Sequence, residues 1–268
     1  MIELIDAWQG KRILVSGDPG YDVYHWCTCE RISPEAPVPV LVEQSMEDRP
    51  GLAYNVCQNL AALGCIPVQD FPPEPWTIKR RFMVGRQQMM RVDYDRMQSP
   101  THSPPDLSRI DAIILSDYAK GWLTYEYCQA LIGAARAKNI PVIVDPKKKG
   151  WEKFHGCTVI CPNESEWGSK TMDPLKAWPY DNALVKRGER GIRLYEEGQS
   201  VQDFPATARH VYDVTGAGDC VVAVVGATLA AGGGLPDAAR LANLAGGFVV
   251  SEVGTTACSA ERLKALCS

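Results

Sequence analysis

Short apolar runs typical of buried strands alternate with helical patterns along the chain, and this alternation limits the fold more than any other feature. The runs are RILVSGD, DAIILSD, IPVIVDP, TVICPN and ALVKRG, and the clearest helical pattern among them is TYEYCQALIGAARAKN. Strands that alternate with helices predict an α/β fold with a mostly parallel sheet. With 268 residues, 46% of them hydrophobic, the chain is expected to form one domain over residues 1–268.

Polar residues close most of these predicted strands. They are Asp18, Asp117, Asp145 and Asn163, and Gly188 ends the last run. Because ligands of open α/β sheets bind beyond the carboxyl ends of the strands, these positions predict one shared site.

Two further segments fit a second, smaller sheet. ISPEAPVPVLVEQ alternates Val with Pro, which excludes a helix and fits an edge strand, whereas TIKRRFMV and QQMMRVDYD predict an antiparallel hairpin. We expect these segments, residues 30–46 and 76–96, to form a β lid. Between them, AYNVCQNLAALGC predicts a helix of about three turns. The Pro-rich stretch 67–75 is expected to be irregular.

Composition favours a small-molecule ligand. The net charge of -4 argues against nucleic acid or an anionic membrane as the main partner, and no apolar run reaches the roughly 18 residues of a membrane span. The ten cysteines are scattered and no secretory pattern precedes them, so reduced thiols in the cytoplasm are expected. Cys27 and Cys29 form a C-x-C pair, but nothing completes a zinc set at the usual spacing.

The segment DVTGAGDC, residues 213–220, precedes the small-residue run VVAVVGATLAAGGG, which predicts a buried helix. Glycines at a helix start leave the first N–H groups uncovered, and such an end attracts anions. Asp219 beside a bound phosphate fits a proton acceptor, so the segment suggests phosphoryl transfer. The alternative is a flexible loop and helix cap. Neither the P-loop pattern nor the dinucleotide-binding pattern occurs in the sequence.

Several of these segments occur in the order of a known family. DVTGAGD, RPGLAYNVCQNLAALG, PNESE and KRGERG resemble the signatures of the ribokinase-like (PfkB) carbohydrate kinases. RISPEAPVPVLVEQ, SDYAKG and DPKKKGWEKFHGCTVICPNESE are similar to the heptose 7-phosphate kinase branch, which includes the kinase half of a bifunctional enzyme of ADP-heptose synthesis. The resemblance covers nearly the whole chain. It implies a three-layer sandwich and an ATP- and Mg²⁺-dependent kinase acting on O1 of D-glycero-D-manno-heptose 7-phosphate.

The resemblance also implies roles for single residues. The catalytic base falls on Asp219 and the anion hole on Gly216, Ala217 and Gly218. The positions that hold sugar hydroxyls are Asp22, Gly51 and Asn55. The N-x-x-E element associated with the phosphates and, indirectly through its Glu, with magnesium is Asn163 and Glu166. The nucleotide segment contains Lys186, Gly188 and Gly191, and Asn243 falls near the adenine. A helix N-cap remains an equal alternative for Asn163.

Lysines and an arginine supply candidate contacts to a substrate phosphate. Two predicted strand ends carry an Asp followed by a Lys, namely Asp117 with Lys120 and Asp145 with Lys147. In the hairpin, Lys79 and Arg81 alternate and therefore share one face, where they suit a 7-phosphate. A solvated surface is the alternative for all of these cations.

The sequence departs from the family pattern at the sugar site. The usual Gly-Gly is Gly51-Leu52, Tyr54 stands where relatives have a small residue, and about one strand-helix unit, on the order of 30 residues, is missing before Trp76. Phosphorylation of another sugar or nucleoside, or binding without turnover, therefore stays open. The apolar residues of the lid predict a homodimer clasped through it, the alternative being a hairpin packed on its own domain.

Overall fold

Eight strands form the central sheet of this computed structural model, which describes residues 1–168, 182–208, 214–252 and 256–267. In chain order the strands of the molecule are β1 Arg12–Gly17, β2 Pro19–Ile32, β3 Pro39–Leu52, β4 Ile66–Asp70, β5 Thr77–Val84, β6 Gln87–Tyr94, β7 Ala112–Ser116, β8 Val142–Asp145, β9 Val159–Ile160, β10 Asn182–Lys186, β11 Ile192–Glu196 and β12 Gln202–Phe204. The α-helices are α1 Ile2–Asp6, α2 Ala53–Ala62, α3 Tyr125–Arg136, α4 Glu164–Trp167, α5 Ala217–Ala230, α6 Leu235–Val250 and α7 Ala260–Cys267.

The central sheet has the strand order β12-β11-β10-β9-β8-β7-β1-β4. The six strands from β10 to β4 are parallel, and β11 and β12 extend the sheet by antiparallel pairing. The strand AIILS of β7 is buried at all five positions, as expected for a strand with helices on both faces. The prediction of a mostly parallel α/β sheet is confirmed.

Helices cover both faces of this sheet and make three layers. Ile13 and Ile114 point to one face, where they pack with α2, α5 and α6, whereas Leu14 and Ile113 point to the other, where they pack with α3. The alternation follows from the two-residue period of a strand. None of the described helices combines the length and apolar character required to cross a membrane.

The second sheet has four strands in the order β3-β2-β5-β6. The predicted hairpin is confirmed, since β5 and β6 pair antiparallel, and the Val/Pro segment forms part of the edge strand β3. This small sheet is larger than the two predicted segments, because β2 begins at Pro19 and runs parallel to β5. Asp22 lies opposite Lys79 across the β2–β5 pair, and His25 lies opposite Phe82 on the other face.

The stretch 67–75 was expected to be irregular, and this is wrong for its first half. Residues Ile66–Asp70 form β4, which pairs parallel with β1 at the sheet edge, where Pro67 is tolerated. No helix lies between β4 and β5. Instead Phe71 and Trp76 pack edge to face, and the Trp76 ring also stacks on Tyr21 and contacts Tyr54. Half-buried aromatic rings thus lie in the region before β5, where the sequence lacks the strand-helix unit of the family pattern.

Candidate functional site

The carboxyl ends of the parallel strands meet at one edge of the central sheet. The backbone N–H of Asp117 donates to the carbonyl of Asp145 at 2.9 Å, and Asn163 forms a parallel bridge with Lys186. Helix α5 begins beside them, after Gly216 in a left-handed conformation with φ 79°. The tertiary structure therefore brings the predicted base and the predicted nucleotide residues to the same end of the sheet.

Asp219 lies in the first turn of α5 and is only 6% exposed. Its Oδ2 accepts a hydrogen bond from Asn55 Nδ2 at 2.7 Å, and its Oδ1 accepts one from the Tyr118 hydroxyl at 2.8 Å. Burial, followed by the charge of Asp145, raises the pKa of Asp219 to about 6, against the opposing effects of both hydrogen bonds and of Lys186. A carboxyl group with this pKa is ionised at neutral pH yet basic enough to accept a proton.

Lys186 stands beside the start of α5. Its Nζ donates to Asp145 Oδ1 at 2.5 Å, and a Cβ built on Gly218 would lie 3.5 Å from the same Nζ. Burial disfavours the charge on Lys186, but the adjacent Asp145 carboxylate outweighs it and raises the pKa. A permanent ammonium group and the positive end of a helix thus face the same space, which suits a phosphate.

A cavity of about 730 Å³ opens beside this helix start. The lining residues that the sequence predicted are Asn163, Lys186, Gly188, Gly191, Ala217, Gly218 and Asn243. Gly191, at φ 79°, admits no side chain, because an added Cβ would lie 2.0 Å from the carbonyl oxygen of Phe204. The sequence reasoning missed Gly246 and Gly247 on α6, which also line the cavity; small residues at consecutive helix positions were the available signal.

Asn243 supports the wall of this cavity. Its Nδ2 donates to the carbonyl of Pro205 at 2.7 Å, which ties α6 to the segment after β12. The adenine contact that the resemblance implies for Asn243 stays a prediction.

Asp22 is buried in the small sheet and is held by an arginine. Arg81 donates to Asp22 Oδ1 from Nε at 3.1 Å and from Nη2 at 2.8 Å. A Cβ on Gly51 would lie 2.6 Å from Asp22 Oδ2, so only glycine allows the two strands to approach in this way. The structure therefore brings Asp22, Gly51 and Arg81 together.

Two lysines face a tyrosine between the sheets. Lys79 Nζ, from the small sheet, lies 5.3 Å from the centroid of the Tyr118 ring, and Lys147 Nζ, just after β8, lies 4.2 Å from it. Burial lowers the pKa of Lys79. Sequence reasoning missed Tyr118, although it lies in SDYAKG between two residues that were singled out.

The other predicted cations and carboxylates have protein partners. Asp117 is 3% exposed and pairs with Lys153 at 2.8 Å, and Lys120 pairs with Asp95 at 2.5 Å. Asp18 accepts backbone hydrogen bonds from Tyr118, Lys120 and Trp122, and so fixes the loop after β7. Asp117 and Lys120 are thus held in ion pairs, and their binding roles stay predictions.

Asn163 and Glu166 form a capping box at the start of α4. Asn163 Oδ1 accepts from the backbone N–H of Glu166 at 2.9 Å, and Glu166 Oε2 accepts from that of Asn163 at 2.8 Å. The N-cap alternative for Asn163 is therefore confirmed, and it does not exclude a ligand role. Glu166 Oε1 lies 3.8 Å from Lys147 Nζ.

The described residues contain no cluster of three or more His, Cys, Asp or Glu side chains able to hold a metal ion. Mg²⁺ in kinase sites usually keeps several waters and uses only one or two carboxylates together with substrate phosphates. The carboxylates at this edge that fit that limited role are Asp145, which pairs with Lys186, and Glu166, which lies 3.8 Å from Lys147.

The fold is shared with known sugar kinases. Ribokinase of Arabidopsis thaliana, solved in complex with ribose and ATP, matches with a TM-score of 0.73 and 15% sequence identity over 96% of this chain and 98% of that one. Ribokinase of Thermotoga maritima matches with a TM-score of 0.71 and 16% identity over 97% and 99% of the two chains. These likenesses show that the molecule has a ribokinase-like fold.

Sequence comparisons narrow the class. The model of the pfkB family of carbohydrate kinases matches residues 79–262. Bifunctional protein HldE of Vibrio parahaemolyticus is 37% identical over 306 residues, which cover 97% of this chain and 64% of that protein. Bifunctional protein HldE of Pseudomonas putida is 39% identical over 298 residues, covering 94% and 63%. The chain spans a little under two thirds of these relatives, and it belongs to the pfkB family of carbohydrate kinases.

Proposed function

We propose that this chain is an ATP-dependent carbohydrate kinase that transfers the γ-phosphoryl group to O1 of D-glycero-D-manno-heptose 7-phosphate. The observation that carries the proposal is Asp219, a buried carboxylate at the start of α5 whose pKa is raised to about 6. The carboxylate contacts Asn55 on α2 and Tyr118 after β7, and it lies in the first turn of the helix that would bind the phosphate. The pfkB family membership supports the reaction class, and the SDYAKG and DPKKKG segments support the heptose branch.

In this proposal the 730 Å³ cavity takes the nucleotide, with the γ-phosphate at the start of α5. Asp219 accepts the proton of the attacking sugar hydroxyl. The N–H groups at Gly216 to Gly218 and the ammonium of Lys186 stabilise the negative charge on the transferred phosphoryl oxygens. Because these groups are held before the substrate binds, they need little rearrangement during the reaction.

Magnesium, when bound, would neutralise phosphate charge. Glu166 and Asp145 are the residues that would hold it, through water or directly. Both are already oriented by the protein, Glu166 by the capping box and Asp145 by Lys186.

The sugar phosphate would bind between the two sheets. Asp22 and Asn55 offer polar groups for the sugar hydroxyls, and Gly51 lets its strand pass close to Asp22. Arg81, which contacts Asp22, and Lys79 and Lys147, which contact Tyr118, would bind the 7-phosphate. In the described part of the chain no carboxylate oxygen lies within 4.0 Å of Lys79 Nζ, so Lys79 is not held in an ion pair.

ADP release tests the proposal. The chain is incubated with ATP, Mg²⁺ and each member of a panel that contains D-glycero-D-manno-heptose 7-phosphate, the unphosphorylated heptose, ribose, fructose 6-phosphate and inosine. We expect the heptose 7-phosphate to give the highest kcat/KM. The unphosphorylated heptose should differ from it mainly by a higher KM. ADP release with another sugar only would identify a different substrate and keep the assignment as a carbohydrate kinase.

A non-catalytic binding protein is the second candidate, and Leu52 favours it. This residue has φ 57° and is 4% exposed, and an added Cβ on Gly20 would clash with its side chain. In this candidate the leucine takes up space that the family's second glycine leaves open to the sugar. Calorimetric binding of heptose 7-phosphate without ADP release would support this candidate.

We also propose that the small sheet is a lid over the sugar site and that two copies form a homodimer through it. Met46, His25, Phe82 and Met90 lie side by side across the four strands. The two outer residues, Met46 and Met90, are 58% and 48% exposed. Exposed methionines on both sides of the buried His25 and the half-buried Phe82 are expected to be covered by a second copy. The ten free cysteines support a reducing compartment, and we place the protein in the cytoplasm.

A further inference from the structure

Tyr118 contacts the base, although it does not reach the nucleotide cavity. Its hydroxyl donates to Asp219 Oδ1 at 2.8 Å, while Asn55 donates to the other oxygen at 2.7 Å. Burial and the nearby charge of Asp219 raise the pKa of Tyr118 well above its usual value, so the phenol keeps its proton and is the donor. Two donors on two different oxygens fix the rotation of the carboxylate and leave its remaining lone pairs for a substrate hydroxyl.

The tyrosine itself is held by a backbone hydrogen bond and by two lysines on its ring. Its backbone N–H donates to the buried Asp18 at 2.9 Å, which anchors the loop after β7. Its ring is contacted by Lys79 from the small sheet and by Lys147 from the end of β8, at distances that allow cation–π attraction. The hydroxyl therefore has little freedom to leave Asp219.

We propose that Tyr118 is a positioning residue that holds the Asp219 carboxylate ionised and in one orientation for proton transfer. The inference rests on the proposed role of Asp219 as the base. A hydrogen bond to a carboxylate favours the charged form and lowers its pKa. Removal of the hydroxyl must therefore raise the pKa of Asp219, and the base is then protonated over a wider range of pH.

Other charges act on the same pair and stay in place when the hydroxyl is removed. In the described part of the chain they are Asp145, Lys147, Lys186, Asp22 and Lys79. Because Tyr118→Phe keeps the ring, the contacts with both lysines are preserved, and the variant isolates the hydrogen bond.

The test is a titration of Asp219 with an isotope label on the aspartate carboxyl carbons, followed by NMR. The resonance of Asp219 is the one lost in Asp219→Asn. We expect its midpoint to rise by about one pH unit in Tyr118→Phe, since a hydrogen bond to a charged group changes an equilibrium by roughly tenfold or more. An unchanged midpoint in a folded Tyr118→Phe would overturn the proposal. This measurement needs no substrate, so it stands apart from the success of the kinase assay.

A matched control is Tyr127→Phe. Tyr127 also donates its hydroxyl to a buried carboxylate, Asp70 Oδ2 at 2.5 Å, but it lies on α3, on the opposite face of the central sheet from α5. This variant should leave the Asp219 midpoint unchanged. A shift as large as that in Tyr118→Phe would show a general structural effect and contradict the inference.

The unmodified chain gives a second measurement, which observes the Tyr118 side of the same hydrogen bond. With the label on the tyrosine ring carbon that bears the hydroxyl, the Tyr118 resonance should shift with the midpoint of Asp219 and lose this inflection in Asp219→Asn. A Tyr118 signal that does not respond between pH 4 and 8 would exclude the hydrogen bond. In the kinase assay, the acid limb of the pH profile of kcat should move to higher pH in Tyr118→Phe, while KM for ATP stays unchanged.

Discussion

Asn55 Nδ2 donates a hydrogen bond to Asp219 Oδ2 at 2.7 Å, although the two residues are 164 positions apart in the chain. Asn55 lies on α2, next to the small sheet, and Asp219 lies at the start of α5 beside the nucleotide cavity. This single contact joins the proposed sugar side of the site to the proposed phosphate side.

Asp219→Asn is expected to remove the base and little else. The amide can still accept from Asn55 and donate to the Tyr118 oxygen, so the local structure should be kept. Turnover should fall by about 10² to 10⁴, the range for loss of a general base, while the Kd for ATP stays nearly unchanged. Initial rates of ADP release and calorimetry measure the two quantities. If more than half of the activity remains, Asp219 is not the base.

The same variant should be more stable than the unmodified chain above about pH 6. Burial raises the pKa of Asp219 from 3.8 to about 6, so the folded state favours the protonated acid. The stability that the protonated acid contributes is fully present below the pKa of Asp219 in the unfolded chain. It is lost as the pH rises through about 6. Because Asn mimics the protonated acid at every pH, Asp219→Asn should gain on the order of 2 to 3 kcal/mol at pH 8. Urea unfolding at pH 4 and pH 8 tests this; a gain that does not depend on pH would contradict it.

Gly218→Val should weaken nucleotide binding. A Cβ at this position faces Lys186 Nζ at 3.5 Å, and the branched methyl groups would enter the space of the phosphate. Loss of one hydrogen bond to a charged oxygen, about 1.5–3 kcal/mol, raises the Kd for ATP by roughly tenfold or more. Gly133→Val is the control, since nothing lies within 4 Å of a Cβ there and the residue is on α3. Equal affinities in the two variants would mean that Gly218 has only a structural role.

At Leu52, Ala should destabilise the fold more than Gly does. Both changes remove a buried side chain, at a cost of about 2–5 kcal/mol. The backbone at φ 57° disfavours Ala but not Gly, a difference of about 1 kcal/mol. Leu60, which is fully buried inside α2, should show the opposite order, because Gly costs about 1 kcal/mol more than Ala in a helix. Thermal unfolding of the Ala and Gly variants at Leu52 and at Leu60 measures which of the two is less stable at each site. The same order of stability at both sites would argue against backbone strain at Leu52.

Met46→Glu should convert a dimer into a monomer. The side chain is 58% exposed, so the charge costs little in an isolated chain but is buried in a clasp of two small sheets. Phe82→Asp is less clean, because Phe82 stacks on His25 at 4.6 Å within the same sheet. Light scattering at micromolar concentration measures the mass. A monomer before substitution, or a dimer unaffected by either change, would contradict the proposed interface.

The sequence by itself determined the architecture, because strand and helix periodicities are local properties. The buried run RILVSG, the helix pattern from Thr124 and the hairpin after Trp76 all lie where their patterns placed them. The signature around Asp219 was equally local, since a glycine turn, an acid and a small-residue helix are consecutive. The strand Ile66–Asp70 was not predicted, because a short edge strand with a proline carries too little local pattern to be recognised.

The tertiary structure decided which polar groups are partners, because such pairs form between distant segments. Asp117 was predicted beside Lys120, yet it pairs with Lys153, and Lys120 pairs with Asp95. Tyr118 was not singled out, since its hydroxyl meets Asp219 across 101 residues of chain. Local patterns set where a buried strand ends, but the packing of α5 against the sheet sets which side chains meet there, and burial in that contact gives Asp219 its raised pKa.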